Sequence, residues 1–231
     1  MTGAPTSAPA KRGRRRRRFL LLIVVALAVA GSAWFAAGRA PAWYAPPEST
    51  DPEVQRTGQR FEHRLVSVAS QVRGADDTWA VRITEAQINA WLAARLPAWL
   101  RHVGSTPPVL PPQVRLGDGV LNVAVPIGGR TLSAAIEPAI ENGELRLRVR
   151  STWIGAIPIP AGGAAQLADA AQRVLGGASN SEANRALRLL SGEPVPAHVR
   201  LGDGRLIELV RFELLPGEVV LECRTVPAGR D

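Results

Sequence analysis

The sequence has few of the residues from which most metal sites and disulfide-stabilised domains are built. Its 231 residues include one cysteine and three histidines. A single cysteine excludes an intramolecular disulfide, so the folded part must be stabilised by its own apolar core. The histidines lie far apart, with no second candidate ligand three or four residues away, and a zinc site would require distant residues to converge. We therefore predict no metal ion.

Sequence motifs of catalysis and cofactor binding are also missing. The chain contains no G-x-S-x-G, phosphate-binding loop, dinucleotide-binding glycine pattern, H-E-x-x-H or C-x-x-C. Asp76 and Asp77 precede a strand candidate, where adjacent carboxylates are more typical of a turn than of a cation site. Glu85 and Asn89 share a helix face, but the helix dipole already accounts for an acidic residue in a first turn. The sequence therefore predicts a non-enzymatic protein without a cofactor.

Positive charge is concentrated at the N-terminus. The net charge is +8, from 28 basic and 20 acidic residues. Residues 1–40 contain eight basic residues and no acidic ones, so residues 41–231 carry equal numbers of both signs. A nucleic-acid-binding surface would need lysine and arginine on the folded domain itself. This distribution predicts that the protein does not bind nucleic acid.

The run from Phe19 to Gly38 is uncharged and apolar. At about 1.5 Å per residue, a helix of this length crosses a hydrocarbon core of about 30 Å. Positively charged flanks stay in the cytoplasm, so we predict a single-pass cell (inner) membrane protein with its N-terminus inside. Trp34, Trp43 and Tyr44 lie at or beyond the outer end, where aromatic rings favour the headgroup layer. The residues that set this topology are Arg14, Arg15, Arg16, Arg17 and Arg18.

Two other interpretations of the N-terminus remain open. Ala28-Val29-Ala30 resembles a signal-peptidase cleavage site, although apolar sequence continues beyond it. The run Arg16-Arg17-Arg18-Phe19-Leu20 fits the twin-arginine export pattern, which any arginine run before Phe-Leu would also match.

The predicted anchor divides the chain into four parts. Residues 1–18 are predicted to be a disordered basic cytoplasmic tail, 19–38 the transmembrane helix, 39–50 a stiff Pro-rich linker and 51–231 an extracytoplasmic domain. That domain begins with a helix over residues 52–73, with Asp51 as N-cap and Pro52 in the first turn. Apolar residues recur on one face of this helix, which predicts that it packs on a core or forms a stalk: Val54, Phe61, Leu65, Val68 and Val72.

The remaining pattern indicates an α+β fold. After a strand at 78–83, the capping box Thr84-Glu85-Ala86-Gln87 begins a helix that extends past Trp99. Residues 113–160 have a β pattern, with Asp118-Gly119 and Asn142-Gly143 at hairpin turns. Helix candidates at 164–175 and 181–190 precede three strands, at 199–201, 205–215 and 218–226. We expect one curved antiparallel sheet of about six to eight strands packed by three or four helices.

The hexapeptide Val-Arg-Leu-Gly-Asp-Gly occurs twice, at 114–119 and 199–204. Each copy is predicted to open a hairpin, and either a favoured turn or a duplicated unit explains the repeat. Separately, the segment WIGAIPIP at 153–160 alternates proline with isoleucine, which predicts an edge strand or an exit from the sheet. We take its apolar residues, with the tryptophans of the second helix, as a candidate surface for an apolar ligand or partner: Trp91, Trp99, Trp153, Ile157 and Ile159.

The segments ITEAQINAWLAARLP, VRLGDGVLNVAVPI and WIGAIPIP, with the strand after Asn142-Gly143, resemble the YpmS-like family of bacterial single-pass membrane proteins. The resemblance spans roughly residues 80 to 175 and implies an N-terminal anchor and an extracytoplasmic α+β domain. It offers no catalytic residue to carry over. Our leading hypothesis is a cell-envelope protein that binds lipid or another apolar ligand. The alternatives are a structural or assembly module acting on itself or a membrane-protein partner, and a hydrolase of envelope polymers.

Overall fold

A computed structural model describes residues 32, 36–74, 76–102, 104, 106–108, 110–159, 188–189 and 191–226. Most of the predicted anchor and of the helix candidates at 164–175 and 181–190 lies outside these residues. Over the described ranges no helix is both long and apolar enough to cross a membrane. The predicted α+β class is confirmed, since three helices accompany strands whose pairings are all antiparallel.

Helix α1, Pro52–Ser70, has the predicted N-cap. The carboxylate of Asp51 accepts a hydrogen bond of 2.8 Å from the backbone N–H of Glu53. Phe61 is buried in the core, and Val68 packs beside it. Two residues of the predicted apolar face do not lie in the core. Leu65 is 36% exposed, and Val72 is 84% exposed because the helix ends before it. The helix therefore packs on the core through a narrower stripe than the sequence predicts.

Helices α2, Glu85–Ala94, and α3, Leu96–His102, replace the single helix expected after Thr84. The predicted capping box is confirmed, since the Thr84 hydroxyl accepts from the Gln87 N–H and the Gln87 amide accepts from the Thr84 N–H. The break falls at Arg95, two residues before Pro97. Proline has no N–H with which to continue the hydrogen bonds of α2, but it is well tolerated in the first turn of a new helix, where it lies in α3.

The first sheet joins the two ends of the domain. Strand β1, Thr78–Thr84, pairs along its length with β10, Glu218–Val226. Strand β10 also pairs with β9, Leu206–Leu215, and β9 pairs with β8, His198–Arg200. One face packs on α1 and α2, and the other carries ion pairs such as Arg82–Glu218 and Arg224–Glu208. The core cluster of this region is Phe61, Val81, Ile83, Leu116, Leu214 and Val219.

The second sheet is a meander. It comprises β2, Gln113–Leu116; β3, Leu121–Ile127; β4, Arg130–Glu141; β5, Glu144–Ile154; and β6, Ile157–Ile159. The predicted turn at Asn142-Gly143 is confirmed, with φ of 55° and 75°. The first two residues of the WIGAIPIP segment end β5, and its residues Ile157–Ile159 form the edge strand β6, which agrees with the edge position predicted from its prolines.

The expectation of one sheet is therefore wrong: the ten strands of the described residues lie in two sheets. The N-terminal strand β1 takes the last strand as its partner, which separates it from the meander. The chain crosses between sheets at residues 195–200, where β7, Val195–Pro196, pairs with β5 before β8 joins the first sheet. Both hexapeptide copies open hairpins as predicted, β2–β3 in one sheet and β8–β9 in the other.

Helix α2 holds the two sheets together at the edge strand β2. The Asn89 amide donates to the carbonyl of Val114 and accepts from its N–H, both at 2.8 Å. One turn earlier, the Glu85 carboxylate accepts from the N–H of Leu116 at 2.7 Å. Helix residues four positions apart are separated by about 6 Å along the axis, and alternate strand residues by about 6.6 Å. The side chains of Glu85 and Asn89 therefore match successive free backbone groups of β2.

Candidate functional site

The register of the second sheet divides its side chains between two faces. Ser133 pairs with Trp153, and Trp153 with Pro158, so these three residues share one face. Ile157 and Ile159 point to the opposite face, where Ile159 packs against the cluster formed by Leu132, Ala134 and Ile136. We call the face that carries Ser133 and Trp153 the pocket face.

Residues 36–45, which we call the strap, cross the pocket face. At one end, the N–H of Ala156 in the β5–β6 turn donates to the carbonyl of Ala36 at 2.9 Å. At the other, the N–H of Ala45 donates to Oε1 of Gln113 on β2 at 2.7 Å. Since β2 and β6 are opposite edges of this sheet, the strap spans it from side to side. Residues 39–45 of the strap belong to the predicted linker, and residues 36–38 belong to the end of the predicted transmembrane helix.

Gly155 permits the close approach of the strap. Its φ is +61°, and a Cβ atom there would lie 2.4 Å from the carbonyl oxygen of Ala37 and 2.6 Å from that of Ala36. Both contacts are far shorter than the van der Waals distance of about 3.5 Å. Glycine is therefore required here for its left-handed conformation and for its lack of a side chain.

A pocket of about 280 Å³ lies between the strap and the sheet. The strap contributes a proline and a tryptophan, and the sheet contributes an amide, a hydroxyl and a second tryptophan. The β5–β6 turn supplies the remaining side of the opening. The described residues that line the pocket are Pro41, Trp43, Asn122, Ser133, Ala134, Trp153, Gly155 and Ala156.

Two polar side chains of the pocket have unused hydrogen-bonding capacity. Ser133 is only 3% exposed, yet over the described ranges its hydroxyl has no hydrogen-bond partner, and neither has the Asn122 amide. In the described residues, the one fully buried side-chain nitrogen or oxygen without a hydrogen-bond partner is Nε of Arg146, which lies outside the pocket. The Ser133 hydroxyl and the Asn122 amide therefore both keep some contact with solvent. Since solvent reaches both groups, a ligand that covers them must replace their hydrogen bonds to water with hydrogen bonds of its own. The pocket therefore presents an amide and a hydroxyl to a ligand.

The lining described above contains no ionisable side chain. Farther along the same sheet, acidic and basic residues neutralise one another, as in the Arg150–Glu137 and Arg148–Glu141 ion pairs. Tyr44 in the strap is anchored by its hydroxyl, which donates to the carbonyl of Pro111 at 2.8 Å, and burial raises the pKa of this phenol. Without a neighbouring base in the described lining, Ser133 is suited to binding rather than to nucleophilic attack.

The structure separates the residues of the predicted apolar surface. Trp153 lines the pocket, whereas Ile157 and Ile159 lie on the other side of the same sheet. Trp91 packs against the first core cluster, and Trp99 is half-buried on α3.

Of the residues predicted to lie at the membrane interface, Trp43 lines the pocket, and Tyr44 hydrogen-bonds the carbonyl of Pro111 just before β2. Phe19 and Trp34, with Arg14, Arg15, Arg16, Arg17 and Arg18, lie outside the described residues, and Gly38 is an exposed strap residue.

Sequence analysis did not identify Asn122, Ser133 or Gly155 as site residues. A serine within the buried strand RTLSAAI was a usable signal, since a small polar residue on a core strand needs a partner. No local pattern marks Asn122. Gly155 could have been identified only as a turn, because the strap that requires it comes from more than a hundred residues earlier in the chain.

Other candidate features have structural explanations. Asp77 accepts a hydrogen bond from the N–H of Gly74, as expected of a turn. Cys223 is buried in the first sheet, and this burial raises the pKa of its thiol. No group of three or more histidine, cysteine, aspartate or glutamate residues in the described ranges could hold a metal ion.

Comparisons of the chain with protein-family models, with curated proteins and with solved structures found no match. The resemblance to the YpmS-like family stays a prediction. The pocket between the strap and the sheet is therefore the main indication of function.

Proposed function

We propose that this protein is a non-enzymatic, single-pass membrane protein of the cell envelope, and that its extracytoplasmic domain binds an amphipathic ligand such as a lipid. The ligand site is the pocket between the strap and the sheet. The observation that carries this proposal is that Trp43, a wall of the pocket, belongs to the chain segment that directly follows the predicted anchor.

The position of the strap limits how far the pocket can lie from the membrane. Trp43 follows Gly38, the last residue of the predicted anchor, by five positions. An extended chain covers at most about 3.6 Å per residue, so the pocket lies within about 18 Å of the outer end of the anchor. A lipid could therefore reach the pocket without leaving the bilayer surface entirely.

The composition of the lining also supports an amphipathic ligand. Two indole rings, a proline and small residues provide apolar contact, and Asn122 and Ser133 provide hydrogen bonds. Small-molecule sites generally combine an apolar lining with a few placed polar groups, in volumes of about 300–1,000 Å³. The volume of about 280 Å³ lies just below that range, which suits part of a lipid rather than an entire molecule.

A comparison of co-purified lipids tests this function. Ala156 is exposed at the rim, so Ala156→Phe should close the pocket without disturbing the core. The matched control is Ala98→Phe at an exposed position on α3. We expect mass spectrometry to detect the same bound lipid in the full-length wild type and the control, and to find it depleted in Ala156→Phe. Equal lipid in all three proteins, or none in any, would refute ligand binding at the pocket.

A second candidate function is assembly through helix α1. Leu65 and Val66, near its C-terminal end, are 36% and 63% exposed, and Val72 just beyond is 84% exposed. Removing the whole helix would also remove Phe61 from the core, so the substitution Val66→Lys is the better test. If assembly is the function, sedimentation of the full-length protein in detergent should show an oligomer that Val66→Lys dissociates. A monomeric wild type would eliminate self-association.

A further inference from the structure

We propose that the pocket recognises an uncharged sugar ring, either as the headgroup of a neutral glycolipid or as a free saccharide. This inference rests on the proposed function and specifies the ligand class of the same site. A sugar ring combines apolar C–H faces with hydroxyl groups at its edge. Those features complement the indole rings of Trp43 and Trp153 and the polar groups of Asn122 and Ser133.

An acyl chain fits the pocket less well than a sugar does. It would cover the nearly buried Ser133 hydroxyl and the Asn122 amide without offering either a hydrogen bond. Leaving such groups unpaired in a dry site is unfavourable. Sugar hydroxyls both donate and accept, so one ring can satisfy the hydroxyl and the amide together while its C–H groups contact the rings.

The absence of charge in the described lining argues against an anionic headgroup. A phosphate or carboxylate taken into this site would have no cationic partner there, and an unpaired charge is strongly disfavoured away from water. By register, a nearby arginine is Arg115, which pairs with Asn122 across β2 and β3. It is exposed and does not line the pocket, so it can attract an anion only at the rim.

Binding of defined lipids and sugars to the full-length protein tests the inference. The protein should be kept in a detergent without a sugar headgroup and then placed in phosphatidylcholine nanodiscs. The probes are monoglucosyl and monogalactosyl diacylglycerol in the nanodiscs, free methyl glucoside and methyl galactoside, and phosphatidylglycerol. Tryptophan fluorescence reports occupancy, and saturation-transfer NMR reports contacts of the free sugars.

We expect saturable binding of at least one sugar probe. Ser133→Ala and Asn122→Ala should each weaken it about three- to tenfold, as expected for one hydrogen bond, whereas the control Ser67→Ala on the exposed face of α1 should not change it. Binding of the free sugar assigns the site to saccharides in general, and binding only in nanodiscs assigns it to the glycolipid.

Two results would overturn the inference. One is the lack of saturable sugar binding, or sugar binding that Ser133→Ala and Asn122→Ala leave unchanged. The other is preferential binding of phosphatidylglycerol that Arg115→Gln abolishes. If Ala156→Phe still depletes a co-purified lipid that carries no sugar, the proposed function survives and this inference alone fails.

Discussion

Gly155→Ala is expected to release the strap from the sheet. The new Cβ would overlap the carbonyl oxygens of Ala36 and Ala37, which are backbone atoms and cannot rotate away. Gly128 provides a matched control, because its φ of +58° is close to the +61° of Gly155 and a Cβ there would meet nothing within 4 Å. Both substitutions impose a left-handed alanine, and only Gly155→Ala clashes with the strap.

The magnitude follows from the contacts at each position. A left-handed alanine costs about 1–2 kcal/mol in both variants. Displacing the strap also loses the Ala156–Ala36 hydrogen bond, about 1 kcal/mol, and the burial of the Ala37 methyl group, about 0.8 kcal/mol. The difference of about 2 kcal/mol between the variants corresponds to a roughly 30-fold increase in strap opening, since 1.4 kcal/mol is a factor of ten.

Trypsin cleavage after Arg39, an exposed strap residue, measures strap opening directly. In the full-length protein in detergent, we expect cleavage at this bond to accelerate roughly 30-fold in Gly155→Ala and to remain near the wild-type rate in Gly128→Ala. Unfolding by urea should show the shared conformational cost in both variants. Equal cleavage rates in Gly155→Ala and Gly128→Ala would refute the argument that the strap depends on a missing Cβ at Gly155.

Three further predictions concern the strap and the contacts between elements. Burial raises the pKa of Tyr44, so above the ordinary phenol pKa of about 10 the folded state retains a proton that the unfolded state loses. Stability should therefore fall as the pH rises through this range, and Tyr44→Phe should remove this contribution to the fall of the urea midpoint. Asn89→Ala should destabilise the domain by about 2–4 kcal/mol because two backbone groups of β2 lose their partners, and a loss under 0.5 kcal/mol in chemical denaturation would contradict this. Gly58→Ala should destabilise by about 1–3 kcal/mol in thermal unfolding, since its Cβ would lie 2.9 Å from the carbonyl oxygen of Ala90, whereas exposed Gln59→Ala should be neutral within about 0.5 kcal/mol.

Several local elements of this protein were predictable from neighbouring residues alone. The Asp51 N-cap, the Thr84 capping box and the turn at Asn142-Gly143 depend on residues within a few positions of one another, and all three are present as predicted. The β pattern of residues 113–160 likewise indicated strands, because side chains of a strand point to alternate faces whatever its partner is. Composition and periodicity record these short-range preferences directly.

The candidate site shows how far that reasoning extends. The sequence identified Trp153 as a surface candidate and Trp43 as an aromatic residue beyond the anchor, but it placed them in different settings. It also grouped Ile157 with Trp153, and pairing with β5 turns the two to opposite faces. Which side chains meet depends on register and on faces, and a shift of one residue would have reversed the result.

Long-range packing determines that the strands form two sheets and that the strap covers one of them. The pairing of β1 with β10 joins segments more than a hundred residues apart, and its partner choice reflects the packing of the whole domain. The same holds for Glu85 and Asn89, whose helix face was visible in the sequence although the β2 edge that it binds was not. Local patterns encode which backbone conformation is favoured, whereas the partners of a strand edge or a strap are selected by long-range packing that no short window contains.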